Sequence, residues 1–197
     1  MTEVVIVDSG GANIASLRCA LERLGARARV TAEGSAIASA ERIVLPGVGA
    51  AAHAMQRLRA AGLVQVLRTL TQPVLGICLG MQLLLERSDE GPTRCLGVLP
   101  CAAQSLRAFA GHPVPHMGWN RLRHLRADPL LEGIGEGSHV YFVHSYAAAV
   151  TEHTLATADY GLRLSAAVRR GNFWGTQFHP ERSGSAGARI LRNFLDQ

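Results

Sequence analysis

A chain of 197 residues, 48% of them hydrophobic, can bury a substantial core and falls in the size range of one domain. Its formal charge of +5 rests wholly on arginine, scattered from Arg18 to Arg192 among carboxylates, so the clustered patch of a nucleic-acid surface is missing. No basic segment leading into an apolar run opens the sequence, and no apolar stretch nears the eighteen or so residues of a membrane span, so neither a secretory leader nor a membrane anchor is expected.

In chain order, residues 4–7, 43–45 and 74–77 are short apolar runs near Gly, Ser or Pro, which is how buried parallel strands read. Between them, Ile14, Leu17, Leu21 and Leu24 recur at helical spacing and Gly25 follows as a stop, predicting an amphipathic helix over 13–24 and a β-α-β opening. A helix over 79–87 should continue directly from the third strand, and another should close the chain over 188–195. The stretch 91–174 is rich in Gly, Pro and His, with strand-like runs at 141–146 and 166–168 and a third just beyond at 173–178, predicting antiparallel additions and functional loops. The expectation is a three-layer α/β fold: a mostly parallel central sheet with helices on both faces, forming one domain over 1–197.

Four cysteines, Cys19, Cys78, Cys95 and Cys101, form no Cys-x-x-Cys pair, and a domain of this size needs no covalent staple, so a reducing cytoplasm is expected. Cys78 stands apart by its setting, Gly76-Ile77-Cys78-Leu79-Gly80, where a strand runs into a helix through a nucleophile elbow with Cys in the place of Ser. The glycines allow the tight turn, and the positive end of the helix dipole favours the reactive thiolate. The other three cysteines read as small buried residues. A thiolate nucleophile needs a base and a group to orient it. Gln177-Phe178-His179-Pro180-Glu181 supplies both, since residues two apart on an extended chain project to one face and His179 can then hydrogen-bond Glu181. His112 and His116 are separated by two prolines, which spoils helical ligand spacing, and no metal site is expected there.

Leu45-Pro46-Gly47-Val48-Gly49-Ala50, Gly76-Ile77-Cys78-Leu79-Gly80-Met81-Gln82 and Gln177-Phe178-His179-Pro180-Glu181-Arg182-Ser183 together resemble the class I, or triad, glutamine amidotransferases. Pro115-His116-Met117-Gly118-Trp119-Asn120 and Tyr141-Phe142-Val143-His144-Ser145-Tyr146 narrow the likeness to the glutaminase subunits of imidazole glycerol phosphate synthases. One departure is Ser9-Gly10-Gly11-Ala12-Asn13, where such proteins commonly carry an aromatic residue and a Gly-x-Gly-Asn turn.

This resemblance implies a glutaminase in which Cys78, His179 and Glu181 are catalytic and the backbone amides of Val48 and Leu79 form the oxyanion hole. It implies glutamine binding by Gly49, Gln82 and Glu90, with main-chain groups of Ser145 and Tyr146. A partner is implied too: a TIM-barrel cyclase subunit, contacted through Asn13, Trp119, Tyr141 and Arg182 at the ammonia gate. Thioester chemistry requires no metal, nucleotide or organic cofactor. The segment from Pro46 to Gly49 is the candidate switch, because a peptide between two glycine-flanked positions can reorient at low steric cost and Gly47 tolerates a positive φ. Subunits of anthranilate, aminodeoxychorismate or pyridoxal phosphate synthase would share Cys78, His179 and Glu181 but not the Pro115 to Asn120 segment. A peptidase or chaperone-like relative would lack the distant His-Pro-Glu, and a degenerate binding module would have lost a triad residue type.

Overall fold

The computed structural model describes residues 2–10 and 14–197. In chain order its first half holds β1 (Glu3–Val7), α1 (Ile14–Arg23), β2 (Arg27–Thr31), α2 (Gly34–Ser39), β3 (Arg42–Leu45), α3 (Ala51–Ala60), α4 (Leu63–Arg68), β4 (Val74–Ile77) and α5 (Leu79–Leu84). The remainder holds β5 (Leu85–Ser88), β6 (Thr93–Arg94), β7 (Leu99–Ser105), β8 (His116–Arg121), β9 (Arg123–His124), β10 (His139–His144), β11 (Tyr146–Ala148), β12 (Thr154–Asp159), β13 (Arg163–Arg170), β14 (Phe173–Thr176) and α6 (Gly184–Leu195).

The central sheet has the order β2-β1-β3-β4-β14-β13-β12-β9. Pairing is parallel from β2 through β14 and antiparallel beyond it, as the strand-like runs late in the chain predict. Side chains alternate across a strand, and β1 shows what that does here. Val4 and Ile6 face one core with Leu17 and Leu21 of α1 and Ile190 and Phe194 of α6. Val5 and Val7 face the other with Ile37 of α2, Leu58 of α3, Leu63 of α4 and Leu83 of α5. All four valine and isoleucine side chains are fully buried, each worth roughly 1.5–3 kcal/mol relative to exposure. This is the three-layer arrangement the sequence predicts, with β8–β10 and β11-β7-β5-β6 as smaller added sheets.

Three expectations are corrected. The helix after Cys78 stops at Leu84, and residues 85–88 become strand β5, paired in parallel with β7. Local propensity favours helix in Leu-Leu-Leu-Glu-Arg, but strand pairing buries Leu85 and Ser88 while Glu86 and Arg87 stay exposed, and the tertiary contact wins. Strand β2, at the sheet edge, is not among the expected strands because its Arg-Ala-Arg-Val-Thr carries charge where a buried run would be apolar. The closing helix begins at Gly184 rather than 188.

Candidate active site

The C-terminal ends of β3, β4 and β14 bring together three loops that carry the predicted site. Cys78 follows β4 directly and has φ +53°, ψ −110°; among the described residues it is the one non-glycine with positive φ. Such a conformation is strained for an L-residue and persists only when its surroundings enforce it. Enforcement comes from Cys78 N–H donating to the Thr176 carbonyl at 2.7 Å, and from the flanking glycines. A Cβ on Gly80 would overlap the Leu45 carbonyl oxygen, and one on Gly76 would lie 2.8 Å from the Gly80 carbonyl group. The Gly-x-Cys-x-Gly pattern is thus a close-packing requirement between β3, β4 and α5.

His179 follows β14. Its Nδ1 lies 2.8 Å from Glu181 Oε1, with both side chains almost fully buried. The pair is made differently from the expected extended chain: His179 is extended, but Pro180–Arg182 is a turn of 3₁₀ helix that carries the carboxylate back under the ring. Ser183, part of the motif but given no role by sequence reasoning, locks this turn. Its Oγ donates to the His179 carbonyl at 2.6 Å and accepts Tyr141 N–H at 3.0 Å, while His179 N–H donates to the Tyr141 carbonyl at 2.9 Å. Burial by itself would lower the pKa of the His179 imidazole. Hydrogen bonding and charge from Cys78 and Glu181 outweigh it and raise the value to about 10. Cys78 and His179 are thus placed as neighbours with Glu181 behind, the arrangement a cysteine nucleophile and its base require.

A cleft of about 500 Å³ opens in front of this pair, lined by Cys78, Leu79 and His179 and by Val48, Gly49, Gln82, Glu90, Ser145 and Tyr146. All five residues expected to bind glutamine thus line one cavity with the nucleophile. Gln82 Nε2 donates to the Tyr146 carbonyl at 2.8 Å and to Gln177 Oε1 at 3.0 Å, so what its side chain can offer a ligand is its carbonyl oxygen. Glu90 Oε2 accepts Ala51 N–H at 2.7 Å, capping α3. The cleft therefore presents acceptors and a carboxylate to a ligand's cationic end. The Ser145 carbonyl is already taken by Leu106 N–H at 2.9 Å.

In the Pro46 to Gly49 loop, Gly49 carries a positive φ, at +87°. Gly47 is needed for space, since a Cβ there would meet Leu79 Cβ at 2.9 Å and Gly80 N at 3.1 Å. Ser9, the departure from the family pattern, is buried and its Oγ donates to the Pro46 carbonyl at 3.0 Å, tying the end of β1 to this loop. Of the four predicted interface residues, three lie together beside the site. Trp119 on β8 pairs across the strands with Tyr141 on β10, their rings edge to face at 6.0 Å, and the Arg182 guanidinium sits 4.7 Å from the Tyr141 ring centroid. Trp119 is 57% exposed, so it is not a core residue. Asn13 lies outside the described residues.

A larger groove of about 820 Å³ lies elsewhere, between Arg68, Arg87, Asp89 and Arg94. Its wall holds Cys95, whose thiol is pushed up to about 11 by burial despite nearby Arg59. Burial, with Glu86 adding to it, likewise raises Cys101 to about 11, so both cysteines are poor nucleophiles at neutral pH. No helix among the described residues is long and apolar enough to cross a membrane.

The class-I glutamine amidotransferase family profile matches residues 5–197. The chain is 54% identical over 196 residues to a Xanthomonas euvesicatoria pv. vesicatoria protein named imidazole glycerol phosphate synthase subunit HisH, covering all of this chain and 98% of that one. It is 52% identical to the protein of the same name from Xylella fastidiosa strain Temecula1, with the same coverage. In fold it is similar to PurLQS from Thermotoga maritima, with a TM-score of 0.74 at 20% identity, covering 99% of this chain and 98% of that one. The glutaminase domain of Trypanosoma brucei CTPS gives a TM-score of 0.71 at 17% identity, covering 99% and 92%. The chain belongs to the class I glutamine amidotransferase family.

Proposed function

We propose that this chain, as a single amidotransferase domain over residues 1–197, is the glutaminase subunit of an imidazole glycerol phosphate synthase. It hydrolyses glutamine at Cys78 and passes the ammonia to a cyclase subunit for histidine biosynthesis. The observation that carries the reading is a cleft joining a strained elbow cysteine and a histidine backed by a buried carboxylate to an acceptor-rich wall, in a chain over half identical to subunits of that name.

The chemistry follows from the groups present. Glutamine enters with its ammonium end toward Gln82 and Glu90 and its side-chain amide toward Cys78. The thiolate attacks the amide carbon, and the oxyanion that forms is met by the backbone N–H groups of Leu79 and Val48, each such donor worth on the order of a hundredfold to a thousandfold in rate. His179 Nε2 gives its proton to the leaving nitrogen, and ammonia departs from a γ-glutamyl thioester. Water then attacks the thioester, His179 takes its proton, and glutamate and the thiolate are released. Glu181 accepts from Nδ1 throughout and stabilises the imidazolium.

Ammonia is protonated in open water, so a partner must seal the route out of the cleft. The group formed by exposed Trp119 and Arg182 with half-buried Tyr141, beside His179, is the face suited to that, with Asn13 joining it by resemblance. The cytoplasm, where a reactive thiol stays reduced, is the compartment such a nucleophile requires. Measuring glutamate release from glutamine by the chain by itself, and again with the cyclase subunit plus its nucleotide ligand, tests the reading. Partner-stimulated release supports it, and no release in either state refutes it.

A further inference from the structure

One side chain outside the residues assigned above reaches the nucleophilic sulfur. Gln177 is fully buried, and its Nε2 lies 3.7 Å from Cys78 Sγ. The Val143 carbonyl oxygen lies at the same distance on another side. The two neighbours have opposite preferences. A carbonyl only accepts, so it favours the protonated thiol; an amide nitrogen only donates, so it favours the thiolate.

The effect of Gln177 depends on which end of its amide faces the sulfur, and the structure fixes that. Gln177 Oε1 accepts from Gln82 Nε2 at 3.0 Å, which turns the nitrogen toward Cys78. Gln82 cannot be reversed, because the same Nε2 donates at 2.8 Å to the Tyr146 carbonyl, which can only accept. That carbonyl takes a second donor, His144 Nδ1–H, at 2.9 Å. With Nδ1 protonated, His144 Nε2 accepts from His116 Nδ1–H at 2.9 Å, and His116 Nε2 accepts from Asn120 Nδ2 at 3.2 Å. Asn120 Nδ2 is anchored at the far end by donating to the Asp159 carbonyl at 2.9 Å. The chain is one-directional from Asn120 to the Tyr146 carbonyl, and its carbonyl ends dictate both histidine tautomers.

We propose that Gln177 is a catalytic residue of this site: its amide, held nitrogen-first by Gln82 and the Tyr146 carbonyl, donates to Cys78 Sγ and stabilises the thiolate left when the thiol proton passes to His179. His144 and His116 are positioning residues that pin the carbonyl on which this orientation depends. The inference rests on the proposed glutaminase reading, in which Cys78 is the nucleophile. Besides Gln177, the titratable or charged groups at the sulfur's cleft are His179 with Glu181 behind it, His144, Tyr146 and Glu90.

The test is the pH dependence of Cys78 alkylation by iodoacetamide on the full chain, read at the Cys78 peptide by mass spectrometry. Wild type is compared with Gln177→Met, which keeps the bulk and deletes the donor, and with Gln82→Met, which leaves the Gln177 amide free to turn. Thermal melting verifies that each variant is folded. The midpoint should rise by about one pH unit in Gln177→Met and by less in Gln82→Met. The kcat for glutamine hydrolysis in the complex should fall roughly tenfold in Gln177→Met, with KM changing less. An unmoved midpoint in folded Gln177→Met overturns the proposal, even if activity falls, because the residue would then be only structural. If Gln177→Met does not fold, an unmoved midpoint in Gln82→Met overturns it instead. Failure of the glutaminase reading itself would show separately, as wild-type chain that releases no glutamate with its partner present.

Discussion

His179 Nδ1 and Glu181 Oε1 meet at 2.8 Å across a 3₁₀ turn rather than along a strand, and Ser183 closes that turn from below. The contact makes the imidazole a strong base while fixing its other nitrogen toward Cys78. Glu181→Gln should lower the His179 pKa from about 10 toward the ordinary histidine range, read from imidazole chemical shifts by NMR. Glu181→Ala should reduce kcat by on the order of a hundredfold or more, yet less than His179→Ala, since it removes an orienting group rather than a reacting one.

Stability should peak near neutral pH, for two reasons of opposite sign. The His116 imidazole is lowered to about 4 by burial and then by His112. Burial, aided by His116 and His179 and opposed by the Tyr146 carbonyl, lowers His144 to about 3. Both bind protons more readily when unfolded, so their contribution is complete above about 6.5 and is lost as pH falls through about 4 for His116 and about 3 for His144. The His179 value is raised, so its contribution is complete below about 6.5 and is lost as pH climbs toward about 10. Urea unfolding across this range should show both slopes, with His116→Asn flattening the acid one and leaving the alkaline one in place.

Gly80→Ala and Gly47→Ala should fail in different ways. The first forces a methyl into the Leu45 carbonyl, a backbone collision with nowhere to relax, and should abolish soluble folded protein. The second brings a methyl to 2.9 Å from Leu79 Cβ and 3.1 Å from Gly80 N, a milder collision that a small shift at the start of α5 relieves. It should fold with a reduced melting temperature. Because Leu79 N–H is the proposed oxyanion donor, kcat should fall more than KM changes.

Arg182 is exposed and stacks on Tyr141, so Arg182→Glu should leave the melting temperature of the free chain nearly unchanged. With the cyclase subunit present, the same variant should weaken assembly or lower the yield of cyclised product per glutamate released. An unchanged ratio and affinity would move the partner surface elsewhere.

The sequence made legible what depends on neighbours along the chain. The three buried strands, the spacing of Leu17 and Leu21 and the Gly-flanked Cys78 are local patterns, and each lies where those patterns place it. What was hidden depends on distant partners. Leu85 leaves a helical pattern because β7 pairs with it, and β2 forms although charged because β1 offers it an edge. The orienting chain was invisible for the same reason: Gln82 meets Gln177 across 95 residues and His116 meets His144 across 28. His116, His144 and Gln177 each stand in a recognisable motif, but a motif names residues without stating which way their donors point.

The most direct test of the account is Cys78→Ala assayed in the complex with the cyclase subunit, comparing product formed from glutamine with product formed from added ammonium salts. The account predicts that glutamine-dependent synthesis is abolished while ammonium-dependent synthesis stays at the wild-type rate, because free ammonia bypasses the cleft and enters the partner directly. Equal loss of both activities, or survival of the glutamine-dependent one, would contradict it.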